Sequence, residues 1–179
     1  MVVGLNQMQE EITKKMDSEG MLKGRMAETL VEELLKKSGN TVYRFGYEAI
    51  MQNLVQIKRI FDAHNEVGEQ IRTIPDFIVI DEKGEPFFVE VKFRWDGKMF
   101  DEKDKVLLGK IKHFWNAKII FVNSSKKPFF QVSSVPYIDE NGGLICHPLS
   151  EEKSWKIDTA VYTEFETLVE KYLTPPLKI

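Results

Sequence analysis

Thr73-Ile74-Pro75-Asp76-Phe77-Ile78-Val79-Ile80-Asp81-Glu82-Lys83-Gly84-Glu85-Pro86-Phe87-Phe88-Val89-Glu90-Val91-Lys92-Phe93 decides how the chain is read. Ile71 to Ile80 and Pro86 to Phe93 are apolar, β-branched and aromatic runs, and the polar, glycine-bearing segment between them signals a hairpin. In the second run Val89, Val91 and Phe93 alternate with Glu90 and Lys92. The acid and the base therefore share one strand face, their Cα atoms roughly 7 Å apart. A turn centred near Lys83-Gly84 makes antiparallel partners sum to about 167, which sets Asp76 beside Val91, between Glu90 and Lys92.

Outward from the hairpin, helical and strand patterns alternate. Residues 6–17 read as a short polar helix. Met21 to Lys37 is a stronger one, with Ala27, Leu30, Val31 and Leu34 at i, i+3, i+4 and i+7 and Gly39 as its stop. Thr41 to Tyr47 has strand composition, Ala49 to Phe61 has a helical stripe, and Asp62 to Gly68 reads as a loop. Asp101 to Trp115 is helical, Lys118 to Asn123 and Phe129 to Val135 are strands, and Asn141-Gly142-Gly143 is a turn. A last helix runs from about Thr159 to Leu173 before Pro175-Pro176. The expected class is α/β, a central mixed sheet of about four or five strands flanked by helices. One domain over residues 1–179 is expected, with its core at about 21–135 and helical appendages at 1–20 and 150–179.

The 179 residues, 42% hydrophobic and 30% charged, suit a globular domain that buries a real core without staples. A single cysteine, Cys146, excludes an intrachain disulfide and a multi-cysteine zinc site. His64, His113 and His147 show no metal spacing and no Ser or Cys elbow accompanies them, so nucleophilic catalysis has little support. Cys146 is expected to be a semi-buried thiol. Met1–Leu5 is too short an apolar run for a signal peptide, and no stretch approaches the ~18 apolar residues of a membrane span. A soluble, cytoplasmic chain with no membrane partner is the expectation. The net charge of −3 conceals an asymmetry: Lys92–Lys127 carries ten basic and four acidic residues, a local +6 against −9 elsewhere. Such a segment fits either a polyanion or a solvated lysine-rich face.

Asp76, Glu90 and Lys92 converge on one patch of sheet, and Glu28 lies at the border of the apolar stripe of its helix, able to join them. Gly24, one turn earlier, would let that helix approach the sheet closely. Two or three carboxylates with a main-chain carbonyl are what a hard cation such as Mg²⁺ prefers. A lysine two residues from such a carboxylate can manage an attacking water or a developing phosphorane charge.

Pro75-Asp76 followed by Glu90-Val91-Lys92, with Glu28 in Gly24-Arg25-Met26-Ala27-Glu28 upstream, resembles the PD-(D/E)xK nuclease superfamily with its restriction-endonuclease-like fold. The pattern over about Leu22–Asn123 is similar above all to the small archaeal Holliday-junction-resolvase-like members, although the helix over 49–61 and the tail after 129 are additions to that minimal pattern. The resemblance implies a Mg²⁺- (or Mn²⁺-) dependent endonuclease acting on DNA, branched DNA included, in repair, recombination or defence. It implies that Asp76 and Glu90, the Val91 carbonyl and Glu28 hold the metal and that Lys92 assists the water. It also implies a homodimer, for which the helix over 49–61 offers an interface. Many members carry a Gln or Lys in the next helix, where this chain has Lys110 or Lys112. Arg94, Lys98, Lys110 and Lys112 are the expected DNA contacts. Trp95 is read as a core aromatic in preference to a base-stacking one. The opposing classes are a catalytically inactive nucleic-acid-binding or assembly module on the same fold, a salt-bridged sheet face, and an enzyme acting on RNA or another phosphoester.

Overall fold

The structure, a computed structural model, describes residues 3–46, 65–95 and 100–174, with side chains from residue 18 onward. The helix expected over 49–61, together with His64 and Lys98, lies outside the described residues. The described elements are α1 (Val3–Lys37), β1 (Thr41–Arg44), α2 (Glu66–Arg72), β2 (Phe77–Ile80), β3 (Pro86–Arg94), α3 (Glu102–Phe114), β4 (Lys118–Asn123), β5 (Phe130–Ser133), β6 (His147–Pro148), a 3₁₀ turn (Leu149–Glu151) and α4 (Thr159–Tyr172).

The class is α/β, with six strands in the sheet instead of four or five, in the order β1-β2-β3-β4-β5-β6. β3 and β4 are parallel and every other neighbouring pair is antiparallel. A parallel pair needs a crossover, and α3 lies within it. Asp101 starts α3 with a capping box: its carboxylate accepts from Asp104 N at 3.0 Å, and Asp104 Oδ2 accepts from Asp101 N at 3.1 Å. β4 is the centre of the sheet; Ile119, Ile120, Phe121 and Val122 are all buried.

Each face of the sheet has its own core. Phe77, Val79, Val89, Val91, Ile120 and Val122 pack against Ala27, Val31, Leu34 and Leu35 of α1 and Phe165 and Val169 of α4. Ile119 and Phe121, on the opposite face, pack against Leu108 and Ile111 of α3 and against Tyr137. α4 therefore belongs to the main core and is no appendage to it.

Three expectations about local structure are corrected. Residues 6–17 and 21–37 form one continuous helix of 35 residues; Gly20 and Gly24, which weaken helix by propensity, do not break it. The expected loop at 62–68 and the first part of the expected strand at 71–80 contain α2, capped by Asn65, whose side chain accepts from Gly68 N at 2.8 Å. Ile71 and Arg72 are thus helical. The hairpin loop is Asp81–Glu85, so partners sum to 166, with Phe77 opposite Val89 and Ile80 opposite Pro86.

α1 ends as expected at Gly39, which has φ +100. Gly39 N donates to Lys36 O and Asn40 N to Leu35 O, the paired bonds that close a helix over a left-handed residue. Asn40, 6% exposed, then ties this end to the far part of the chain. Its Nδ2 donates to Leu35 O at 3.0 Å and Lys156 O at 2.8 Å, and its Oδ1 accepts from Lys156 N at 3.1 Å. Replacing it by alanine removes three bonds and strands Lys156 N and O, while Leu35 O keeps the main-chain N–H of residue 40. Asn40→Ala should cost about 2–4 kcal/mol in urea unfolding, with an unchanged m-value because the fold itself persists.

Candidate functional site

Asp76 stands one residue before β2, where two separate constraints hold it. Its carbonyl accepts from Phe45 N at 2.8 Å and Gly46 N at 3.1 Å, so the chain leaving β1 grips it from behind. Its carboxylate Oδ2 accepts from Val91 N at 2.7 Å, in the middle of Glu90-Val91-Lys92. Gly46 lies beside Asp76, where a Cβ would make only ordinary contact, 3.6 Å from Asp76 Cα.

The corrected register matters here. Continued one step beyond Phe77 and Val89, it sets Asp76 opposite Glu90 rather than Val91. Directly opposed residues of an antiparallel pair share a face. The one-residue difference is what brings Asp76 onto the side of the hairpin that carries Glu90 and Lys92.

Glu90 is 9% exposed and its Oε1 accepts from Lys92 Nζ in a short ion pair. Burial opposes the charge on Lys92, but Glu90 beside it, with Asp76 further off, outweighs that and holds the ammonium above the ordinary lysine range. Asp76 goes the other way. Burial first, then repulsion from Glu90 and from Glu28, pushes its pKa from 3.8 up to about 8, against the opposing pull of the Val91 N–H and Lys92. Glu28, half-buried on α1, is therefore within electrostatic reach of Asp76, as the spacing predicts. The structure thus brings Glu28, Asp76, Glu90, Val91 and Lys92 to one end of the hairpin.

Among the described residues no three of His, Cys, Asp and Glu form a ready-made ligand group. The donor chemistry nevertheless suits a hard cation: two carboxylates on facing strands, a third nearby, and one of them kept from ionising by burial and then by its acidic neighbours.

The residues expected to meet DNA are more committed to the protein. Arg94 pairs with Asp104 at 2.6 Å and lies over the Phe121 ring, bracing the start of α3. Lys110 pairs with Glu69 on α2. Lys112 is exposed. The local +6 of the sequence is similarly offset, since Lys118 pairs with Glu152 and Lys127 with Glu166 and Glu170. Cys146 is half-buried as expected, its thiol donating to Gln131 Oε1.

Two sequence expectations near the site are corrected. Trp95 is no core residue: it is 51% exposed. The β3–β4 ladder ends at Arg94 opposite Asn123, so nothing in the sheet covers the next residue. Gly24 does not serve close packing of α1, because a Cβ there would meet nothing within 4 Å. Sequence reasoning passed over Tyr137, whose hydroxyl donates to Ala117 O and whose proton is held more tightly by burial and by the charge of Glu90. Nothing in its local sequence marks it, because β5 and the loop after it deliver it to Glu90 from a distance in the chain.

No protein-family model matches the chain, and no curated protein matches it.

Because folding raises the pKa of Asp76, its ionisation works against the folded state. That cost is absent below about pH 4, grows as the pH rises, and is complete above about pH 8. Asp76→Asn keeps an acceptor for Val91 N–H and removes the charge. Without divalent ions the variant should be more stable than wild type by about 1–2 kcal/mol at pH 8, allowing for solvent screening. The difference should vanish near pH 4. Thermal melts across that range in EDTA check both limbs.

Proposed function

We propose that the chain is a Mg²⁺-dependent endonuclease of the PD-(D/E)xK type on a restriction-endonuclease-like fold, hydrolysing phosphodiester bonds in DNA. The observation that carries this is the 2.7 Å bond from Val91 N to Asp76 Oδ2, which joins the Pro-Asp piece of the motif to its Glu-x-Lys piece on adjoining strands. The mixed sheet, with that hairpin beside its buried centre and α1 above it, is consistent with such a fold.

Asp76, Glu90 and the Val91 carbonyl would hold the Mg²⁺, with Glu28 as a further ligand. When bound, the ion supplies Lewis-acid polarisation of the phosphate and a more acidic water. The remaining work falls to the chain. Glu90 fixes the Lys92 ammonium by one carboxylate oxygen, so that this cation is held in place before substrate arrives. Lys92 then donates to the attacking water and offsets charge building on the phosphoryl oxygens. Val91 N–H keeps the Asp76 carboxylate facing the same point. A role in repair, recombination or defence, and action as a homodimer on branched DNA, belong to this proposal.

The second reading is an inactive nucleic-acid-binding or assembly module on the same fold. It is favoured by the closed Lys92–Glu90 pair and by the acid partners of Arg94 and Lys110. Single-turnover cleavage of linear, supercoiled and branched DNA with Mg²⁺ separates the two. On the nuclease reading Lys92→Ala should slow cleavage by about 10²–10⁴-fold while leaving Mg²⁺ binding largely intact. Asp76→Asn and Glu90→Gln should lose Mg²⁺ affinity and cleavage together. Their metal-free DNA binding in gel shifts should hold or tighten: Glu90→Gln removes a carboxylate near the phosphate, and Asp76→Asn removes a charge only as the pH rises through about 8. Cleavage that persists unchanged in Lys92→Ala and Asp76→Asn removes the hydrolytic reading.

A further inference from the structure

At the end of β3 the candidate site opens into a cleft of about 420 Å³. Val91, Lys92, Phe93 and Trp95 form one wall, and α1 forms the other with Gly20 and Gly24. The size falls in the range of pockets for small organic groups. Val91 and Lys92 line the cleft and also belong to the site, so the two adjoin along β3.

Three features define what fits. Trp95 is 51% exposed and lines the cleft, the one aromatic indole there among the described residues. Gly20 and Gly24, one helical turn apart, are not required by packing, for a Cβ on either would meet nothing within 4 Å. Both weaken α1 relative to alanine, and the visible effect of their lacking side chains is the open volume. The cleft's charged groups on α1 are matched: Lys23 Nζ lies 2.7 Å from Glu19 Oε1, and the Lys23 side chain is only 16% exposed. A wall with a balanced ion pair and an aromatic face suits a flat, uncharged ring better than a phosphate.

We propose that this cleft receives an unpaired nucleobase, stacked on Trp95 and lying over Gly20 and Gly24, from the nucleotide next to the phosphodiester at Lys92. The word "next" rests on the nuclease reading above; the stacking does not. The substrate class is accordingly nucleic acid that is single-stranded, or locally unpaired, at the point of attack. A paired base cannot enter, since its face is already covered by its neighbours in the duplex.

The test is fluorescence-anisotropy binding, in EDTA, of a labelled oligothymidylate about 12 nucleotides long, within the span of single-strand sites. Trp95→Ala should weaken binding by about 5- to 150-fold, the worth of one stacked base, and Trp95→Phe should recover most of the loss. Gly24→Leu fills the cleft from the opposite wall without touching Trp95 in sequence. It should bind as weakly as Trp95→Ala while melting no lower than wild type, because leucine favours helix. The same strand annealed to its complement should bind all four proteins alike. Wild-type protein that does not bind the single strand overturns the proposal. So does Trp95→Ala or Gly24→Leu binding as tightly as wild type, or an equal loss on duplex. Cleavage measured alongside keeps the two proposals apart. Stacking-dependent binding with no cleavage removes only the hydrolase, and Mg²⁺-dependent cleavage with binding indifferent to Trp95 removes only the cleft.

Discussion

The β2–β3 register governs which face of the hairpin carries Asp76, Glu90 and Lys92 and which packs against α1. It is set in the loop Asp81–Glu85, where Asp81 Oδ1 accepts from both Lys83 N and Glu85 N at 2.8 Å and Asp81 N donates to Glu85 O at 3.1 Å. A slip of one residue would exchange the faces of an entire strand. Glu90 and Lys92 would then turn toward α1, and Val89 and Val91 away from it. The apolar alternation of β3 and the side chain of Asp81 therefore enforce one arrangement by separate means, one through burial and one through local hydrogen bonding.

Around that hairpin, charge is distributed unevenly and to a purpose. Most cations of the Lys92–Lys127 segment have acids as neighbours: Arg94 has Asp104, Lys105 has Glu102, Lys110 has Glu69 and Lys118 has Glu152. Asp76 is the contrary case, a carboxylate whose pKa is raised to about 8 by burial first and by its acidic neighbours second. Such an arrangement is costly to fold, because burial and like charge both oppose ionisation.

What could be read in the sequence was whatever depends on neighbours close in the chain. α3 is bounded by its own Asp101 cap, β4 by its continuous apolar run, and the end of α1 by Gly39; all three lie where their residues indicate. The motif residues were legible because their order and strand alternation are local as well. Other features depend on partners that local patterning does not reveal. α2 holds Ile71, an apolar residue that looks like the start of β2, yet its helix ends against Trp115, whose Nε1 donates to Gln70 O and Thr73 Oγ1 at 3.3 Å. The register needed the loop's hydrogen bonds, the exposure of Trp95 needed the end of the β3–β4 ladder, and the role of Gly24 needed the empty space beside it. Each is a tertiary fact.

The link between Asn40 and Lys156 also has a consequence for how the protein is made. It joins positions 116 residues apart, and a second bond, Asp158 N to Ser38 Oγ at 3.1 Å, reinforces it. α1 is synthesised early, but Phe165 and Val169, which pack in the core it helps to form, leave the ribosome late. Long sequence separation slows folding, and an uncovered apolar face is prone to aggregate in the interval. A nascent chain can therefore complete the hairpin and its acidic cluster well before α1 is locked at its C-terminal end. The part of the molecule that holds the acidic cluster is translated before the part that finally secures it.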